Sequence, residues 1–152
     1  MTEFSSGDRL RFPDFTGTWL CIRQDGMNNF LDKLGVGFVM KNLAWSMNYG
    51  VNKLKQDVEQ EGKEAIKVTV HGPRGAPKTM KVPLDGSKFT LTTERGDVQA
   101  TACWSSDGHA IESIIGEESD AFTGKRFMND HGEMVIVQTK KGVSATRYFV
   151  RV

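Results

Sequence analysis

The sequence predicts an all-β fold, a ten-stranded antiparallel up-and-down β-barrel capped by a helix-turn-helix between strands 1 and 2. Three observations predict it: regularly spaced turn signals after residue 50, alternating apolar residues between those turns, and one early interruption with helical spacing. Ten strands joined by hairpins leave two exposed edges unless the sheet closes on itself. A closed barrel is therefore favoured over an open sheet.

Turn signals recur after residue 50 at intervals of mostly ten to thirteen residues. Asp85-Gly86 and Asp107-Gly108 are typical of hairpin turns, because glycine adopts a positive φ without strain. An acidic stretch at residues 116–120 fills the one long gap. Short strands separated by turns at this spacing are typical of β-sandwiches and β-barrels. The glycines that mark the candidate turns are Gly62, Gly75, Gly86, Gly96, Gly108, Gly132 and Gly142.

The segments between these turns alternate between apolar and polar residues, as half-buried strands do. In one of them Ile66, Val68 and Val70 share a face, while Lys67 and Thr69 share the other. The eight breaks delimit nine strands, and residues 15–24 form the tenth.

Two short helices are predicted between the first and second strands. Met27, Phe30 and Leu31 have helical spacing, and Gly35 is typical of a helix C-terminus. A second helical pattern spans residues 38–47. Helices this short are unstable alone, so we expect them to pack across the open mouth of the barrel.

Length and composition limit the classes of protein that the chain can represent. Its 152 residues suit one domain, which we expect at residues 15–152 after a polar extension at residues 1–14. A formal net charge of +1 gives no basic field for nucleic acid. No apolar run is long enough to span a membrane, and the N-terminus lacks the apolar core of a signal peptide. Cys21 and Cys103 are expected to be buried thiols in a reducing cytoplasm, although a single disulfide stays open.

Four segments carry a resemblance to a known family. They are residues 15–19 (Phe-Thr-Gly-Thr-Trp), residues 29–38, residues 129–133 (Asn-Asp-His-Gly-Glu) and residues 145–151 (Ala-Thr-Arg-Tyr-Phe-Val-Arg). In these segments and in its layout, the chain resembles the intracellular lipid-binding protein family, which includes the fatty-acid-binding and cellular retinoid-binding proteins. The resemblance implies a carrier that holds one hydrophobic ligand, a fatty acid or a retinoid-like acid, inside the barrel.

The resemblance also implies where the ligand's carboxylate is bound. The family's anchor is an arginine on the last strand, usually followed two residues later by a tyrosine. Arg147 matches the arginine, but Phe149 stands at the tyrosine position, and Tyr148 should face outward because neighbouring residues of a strand face opposite sides. Arg126 matches an inner arginine of the retinoid-binding branch. Two interpretations of Arg126 stay open: it meets the ligand's carboxylate, or it faces solvent or pairs with an internal acid.

Apolar residues of the helices and of the penultimate strand match positions that contact ligand or line the entry in the family. The helical ones could instead serve only to pack the helices onto the barrel. These residues are Met27, Phe30, Leu31, Val36, Met40 and Ile136.

The expected partner is a small hydrophobic ligand, bound by a cytoplasmic monomer without cofactor or metal. A basic rim at the mouth could make transient contact with anionic membranes, although such a set of charges is usually only a solvated surface. The residues of this rim are Lys41, Lys53, Arg74, Lys78 and Lys81.

The sequence favours a carrier over other functions. An enzyme is disfavoured because the three histidines, His71, His109 and His131, lie in or beside predicted turns, and no nucleophile, nucleotide or zinc motif accompanies them. A secreted lipocalin predicts a signal peptide, eight strands and a C-terminal helix, whereas this chain ends in a strand pattern. Two alternatives stay open, namely a barrel with sterol or bile-acid cargo and a filled-core module that binds membranes or proteins.

Overall fold

The computed structural model describes residues 12–35, 48–72, 75–93 and 96–152. These residues form ten strands, one helix and two short 3₁₀ turns. In chain order the elements are Gly17–Asp25 (β1), Met27–Lys33 (α1), Asn48–Gly50 (3₁₀ turn), Lys55–Glu61 (β2), Ala65–His71 (β3), Lys78–Pro83 (β4), Phe89–Thr93 (β5), Gly96–Trp104 (β6), Ala110–Ile115 (β7), Glu118–Asp120 (3₁₀ turn), Phe122–Met128 (β8), Met134–Lys140 (β9) and Val143–Arg151 (β10).

All ten strands belong to one antiparallel sheet that curls into a nearly closed barrel. The spatial order is β4-β3-β2-β1-β10-β9-β8-β7-β6-β5, so the first and last strands of the chain pair with each other. The two edge strands, β4 and β5, approach each other where the chain passes between them. There Asp85 bridges to Cys103, and the Gly86 N–H donates a hydrogen bond to the Ala102 carbonyl at 2.9 Å. The predicted ten-stranded up-and-down barrel is confirmed.

The strands follow the alternation that the sequence shows. In β3, Ile66 and Val68 are buried and Lys67 between them is exposed. The alternation of inward and outward residues also corrects the expectation for Cys103. Cys103, expected to be buried, is exposed, because the buried Ala102 takes the inward position of β6 and turns its neighbour outward. Cys21 is buried as expected, and both thiols are free.

Helix α1 closes one end of the barrel. Gly26 joins it to β1 with a φ of 80°, and a Cβ at Gly26 would overlap the backbone carbonyl oxygen of Ser144. The close approach and the left-handed backbone therefore both require glycine at this joint. Phe30 packs edge-on against Phe122, with ring centroids 5.8 Å apart, and contacts the buried Ala145 of β10. The first predicted helix is present, whereas the second, at residues 38–47, lies outside the described residues.

The opposite end of the barrel is a filled floor. Phe15, Trp19, Met134 and Phe149 have no measurable solvent exposure and form one cluster. The indole Nε1 of Trp19 donates a hydrogen bond to the Phe15 carbonyl at 2.8 Å, so the ring is buried without an unpaired donor. Buried aromatic rings of this size contribute several kcal/mol each to stability, so this floor is the main apolar core.

Residues 12–14 contact the barrel. The side chain of Gln60 donates a hydrogen bond to the Pro13 carbonyl at 3.0 Å, and Arg151 donates one to the Asp14 carbonyl at 2.9 Å. The domain boundary at residue 15 stays a prediction, because residues 1–11 lie outside the described part of the chain. Among the described residues, no helix is long and apolar enough to span a membrane.

Candidate ligand-binding cavity

A cavity of about 200 Å³ lies inside the barrel between the filled floor and helix α1. Inward-facing residues of β2 to β5 and of β7 to β9 line it, together with Lys125 of β8, because alternate residues of each strand point to the interior. Its wall on β3, β4 and β5 is apolar. The residues of this wall are Ile66, Val68, Val70, Met80, Val82, Phe89 and Leu91.

Arg126 lies in the opposite wall, on β8. Its Nη1 donates hydrogen bonds to Gln56 Oε1 at 2.9 Å and to Met134 Sδ at 3.1 Å. Its Nη2 and Nε have no partner, and no acidic side chain pairs with it, among the described residues. Burial lowers the pKa of Arg126 to about 10, so the guanidinium is still charged at neutral pH. Arg126 is therefore a half-buried cation with free donors, and it faces the apolar wall of the cavity.

Arg147 lies on β10 under the loop that precedes β2. Its Nη2 donates a hydrogen bond to the Tyr49 carbonyl at 3.3 Å, while its buried Nε has no partner among the described residues. Burial lowers the pKa of Arg147, and the nearby Cys21 thiol opposes that shift. Burial likewise raises the pKa of Cys21, which keeps that thiol neutral. Arg147 is not among the described residues that line the cavity.

Strand register places the two arginines at one level of the barrel. Arg126 pairs with Ile136 of β9, and Ile136 pairs with Arg147 of β10. The backbones of β8 and β10 are therefore about 10 Å apart, with Ile136 between them, and long side chains can converge over that distance. Phe149 lies one level lower, in the floor cluster. The structure thus brings Arg126, Ile136 and Arg147 together and keeps Phe149 with the packed core.

The predicted lid residues lie at the mouth. Met27 and Phe30 are buried and Leu31 packs against the same cluster, which includes Tyr49 and Ala145. None of the three is among the described residues lining the cavity, so their observed role is to pack α1 onto the barrel. The remaining two lid candidates, Val36 and Met40, lie outside the described residues. Ile136, by contrast, lines the cavity directly.

Sequence reasoning missed three polar residues of the cavity wall. Gln56 lines the cavity and accepts a hydrogen bond from Arg126. Ser113 and Gln138 also line the cavity. Their signal was present in the alternation: Gln56 has the parity of the buried Val58 in β2, so it had to face inward. A polar residue at an inward position of a strand is the pattern to look for.

A polar cluster around Arg23 lies on the outer face of the barrel. Arg23 makes a two-pronged ion pair with Glu133, at 2.7 and 2.8 Å, and its guanidinium stacks 3.9 Å above the Tyr148 ring. Asn129 donates a further hydrogen bond to Glu133 at 2.8 Å. The hydrogen bonds from Arg23 and Asn129 lower the pKa of Glu133. Because β1 pairs with β10, this cluster joins the first strand to the turn between β8 and β9.

The described residues offer no metal centre. No three His, Cys, Asp or Glu side chains among them are placed to hold an ion. His71 contacts Asp57 at 2.7 Å on the outer surface, and Asp57 accepts a hydrogen bond from Thr18 at 2.8 Å. This outer pair lies on the opposite face of the sheet from the cavity and does not extend the site.

No family model matches the chain. By sequence it is similar to cellular retinoic acid-binding protein 2 of Homo sapiens, with 25% identity over 142 residues that cover 91% of this chain and 99% of that protein. The protein of the same name from Bos taurus is 23% identical over the same length.

Among solved structures, the chain is similar to the REP1-NXSQ fatty acid transporter, with a TM-score of 0.75 and 21% identity. The match covers 91% of this chain and 96% of that one. At that identity the similarity shows the fold alone. Relatives and fold together confirm the resemblance predicted from the sequence, which is to the intracellular lipid-binding protein family.

Proposed function

We propose that this protein is a non-enzymatic, cytoplasmic, monomeric carrier of one hydrophobic ligand that bears a carboxylate. The ligand class is a fatty acid or a retinoid-like acid, with its tail against the apolar wall of β3 to β5 and its carboxylate near Arg126 and Arg147. The carrier class is supported by the relatives, whose names describe retinoic acid binding and fatty acid transport.

One observation supports the proposal that the ligand bears an acid group. Arg126 lines an apolar cavity with two of its three nitrogen atoms unpaired and no acidic partner among the described residues. An isolated buried cation is costly, and a carboxylate that enters the cavity removes much of that cost. The planar guanidinium also matches a carboxylate in two parallel hydrogen bonds. An acidic ligand therefore gains binding free energy from Arg126 that a neutral ligand of the same shape does not gain.

Arg147 contributes from the far side of Ile136. Its charge favours an anion at the level of Arg126, whether through direct contact or across distance in a medium of low dielectric constant. Family members usually have a tyrosine hydroxyl two residues later. This chain has Phe149 there, which lacks the hydroxyl and packs in the floor. We therefore assign the larger share of carboxylate binding to Arg126 and the smaller to Arg147.

The test compares a long-chain fatty acid with its methyl ester by titration calorimetry. The wild type should prefer the acid, and Arg126→Gln should lower acid affinity about tenfold to a hundredfold, the usual range for a hydrogen bond to a charged group. Arg147→Gln should weaken acid binding less and leave the fold intact. Neither variant should change ester affinity by much.

Lys67→Gln is the control, because Lys67 is an exposed cation of β3 that is not among the described residues lining the cavity. Its substitution should change neither affinity. Equal binding of acid and ester by the wild type would contradict the anchor and favour neutral cargo such as a sterol. Failure to bind any hydrophobic ligand would favour the filled-core interaction module.

Transient membrane contact at the mouth is part of the proposal and rests on charge alone. Lys53 and Lys78 are exposed, and Lys81 is already paired with Glu61 at 3.3 Å. We expect weak, salt-sensitive transfer of ligand to anionic vesicles, slowed by Lys53→Gln with Lys78→Gln. Transfer at the same rate to neutral and anionic vesicles would contradict a charged docking surface.

A further inference from the structure

Three neighbouring strands place a polar row on the inner wall of the barrel. Gly124 of β8 pairs with Ser113 of β7 on one side and with Gln138 of β9 on the other. All three positions line the cavity. Two polar side chains thus flank a position without a side chain, at a single level of the barrel.

Neither polar side chain is paired within the described part of the chain. The Ser113 hydroxyl and the Gln138 amide make no hydrogen bond to any described residue. Polar groups inside a barrel are usually paired, because leaving one desolvated and unpaired costs free energy. Their donors and acceptors are therefore free to bind an atom that enters the cavity.

Gly124 leaves room between them, although the fold does not require glycine there. Its backbone is not among the left-handed positions. A Cβ at Gly124 would meet only Ser113 Cβ at 3.8 Å and Ile115 Cδ1 at 3.9 Å, which is ordinary van der Waals contact. The missing side chain thus opens a space into which both the short serine and the long glutamine can reach.

The polar row lies one level closer to α1 than Arg126. Gln138 pairs with Ala145, which contacts the helix, whereas Ile136 and Arg126 lie two residues further along their strands. Two residues along a strand span about 7 Å. A ligand whose carboxylate meets Arg126 must therefore pass this row with its hydrocarbon part.

We propose that Ser113 and Gln138 form a second polar subsite, which selects ligands that carry a hydroxyl or keto oxygen on the hydrocarbon part. A hydroxyl there can donate to the Gln138 amide oxygen and accept from the Ser113 hydroxyl. A plain hydrocarbon at the same level leaves both side chains desolvated and unpaired. The acid end of this ligand rests on the proposed function, but the oxygen subsite does not depend on it.

The experiment compares stearate with a hydroxystearate whose hydroxyl lies about 7 Å along the chain from its carboxylate, both titrated calorimetrically into the full chain. The wild type should bind the hydroxy acid several-fold to about tenfold more tightly, as one or two neutral hydrogen bonds would give. Gln138→Leu and Ser113→Ala should each reduce that ratio while leaving stearate affinity equal or higher. Gln99→Leu, the same change at an exposed position of β6, should keep the wild-type ratio.

The methyl esters of the two acids separate this subsite from the carboxylate anchor. A hydroxyl preference that persists between the esters supports the subsite even if Arg126 proves irrelevant. A wild-type ratio near one for both pairs overturns the subsite while an Arg126-dependent preference for acids stands. A ratio that survives in both Gln138→Leu and Ser113→Ala also overturns it, because the preference then arises elsewhere.

Discussion

The floor and the cavity of this barrel are built from the same kind of position, the inward-facing residues of antiparallel strands, and they differ in what those residues do. In the floor, Trp19, Phe15 and Phe149 have no solvent exposure and pack in one cluster. One level above, Arg126 and its neighbours line about 200 Å³ of open space, and polar atoms of this wall have no partner among the described residues. The floor is closed to solvent and its Trp19 donor is paired, whereas the cavity has open space and unpaired polar atoms, which protein interiors usually avoid.

This difference indicates that the floor provides stability and the cavity wall provides binding. Proteins relax their packing and pairing rules mainly at functional sites and make up the stability elsewhere. Substitutions in the floor should therefore change stability, and substitutions in the cavity wall should change binding.

Trp19→Ala should give the largest loss of stability. Removing a fully buried indole leaves a cavity that the rigid floor cannot close, at a cost of about 3–5 kcal/mol. Urea unfolding followed by circular dichroism measures the change. A loss below about 1 kcal/mol would show that the floor is not the main core.

Arg126→Leu should stabilise the empty protein by about 1–2 kcal/mol while weakening its binding of acids. The substitution removes a buried cation whose partners are an amide and a thioether, and an apolar side chain suits that cavity better. Urea unfolding of ligand-free protein provides the value, with Lys125→Leu as the exposed control. A clear destabilisation would mean that Arg126 is a structural residue.

Glu133→Gln should destabilise the protein at neutral pH and should do so less in acid. The Arg23 contact lowers the pKa of Glu133 in the folded state. A carboxyl with a lowered folded-state pKa contributes stability above its unfolded pKa and loses that contribution as the pH falls through the folded pKa. Melting temperatures of variant and wild type should therefore converge as the pH falls through that range.

The control for this ion pair is Glu112→Gln, an exposed residue of β7. It should melt like the wild type at every pH. A constant difference between Glu133→Gln and the wild type across the acid range would show that the Arg23 contact adds no pH-dependent stability.

Gly124→Ala should give the smallest change in stability and a measurable change in binding. Alanine restricts the unfolded chain and meets no close contact, so we expect a gain of about 0.5 kcal/mol. The added methyl group fills part of the cavity and should reduce ligand affinity. Unfolding and titration of one preparation measure both, and a loss of stability would contradict the open space at Gly124.

The barrel and its floor could be predicted from the sequence because their signals are local. Turn glycines and period-two alternation lie within single hairpins, and Trp19 follows from its own strand. The Arg23–Glu133 pair could not be predicted, because its members are 110 residues apart and meet only through the pairing of β1 with β10. Composition predicts a buried Cys103, but strand parity determines its exposure.

The candidate site was predicted only in part. Alternation places Arg126 among apolar neighbours, but whether an internal acid meets it depends on side chains from other strands. The actual partner, Gln56, is 70 residues away in sequence. Arg147 was expected at the cavity, and the Tyr49 carbonyl that it contacts lies in a loop whose backbone has positive φ values at Asn48 and Tyr49. No local sequence pattern predicts such a loop.

The most direct measurement of the central claim is ¹³C NMR of a carboxyl-labelled fatty acid bound to the wild-type protein during a pH titration. A carboxylate beside Arg126 should remain ionised well below the pH at which the free acid takes up a proton, and Arg126→Gln should move its titration back toward the ordinary range. A bound carboxyl that titrates in the ordinary range in both proteins would contradict the proposal that the buried arginine binds the ligand's acid group.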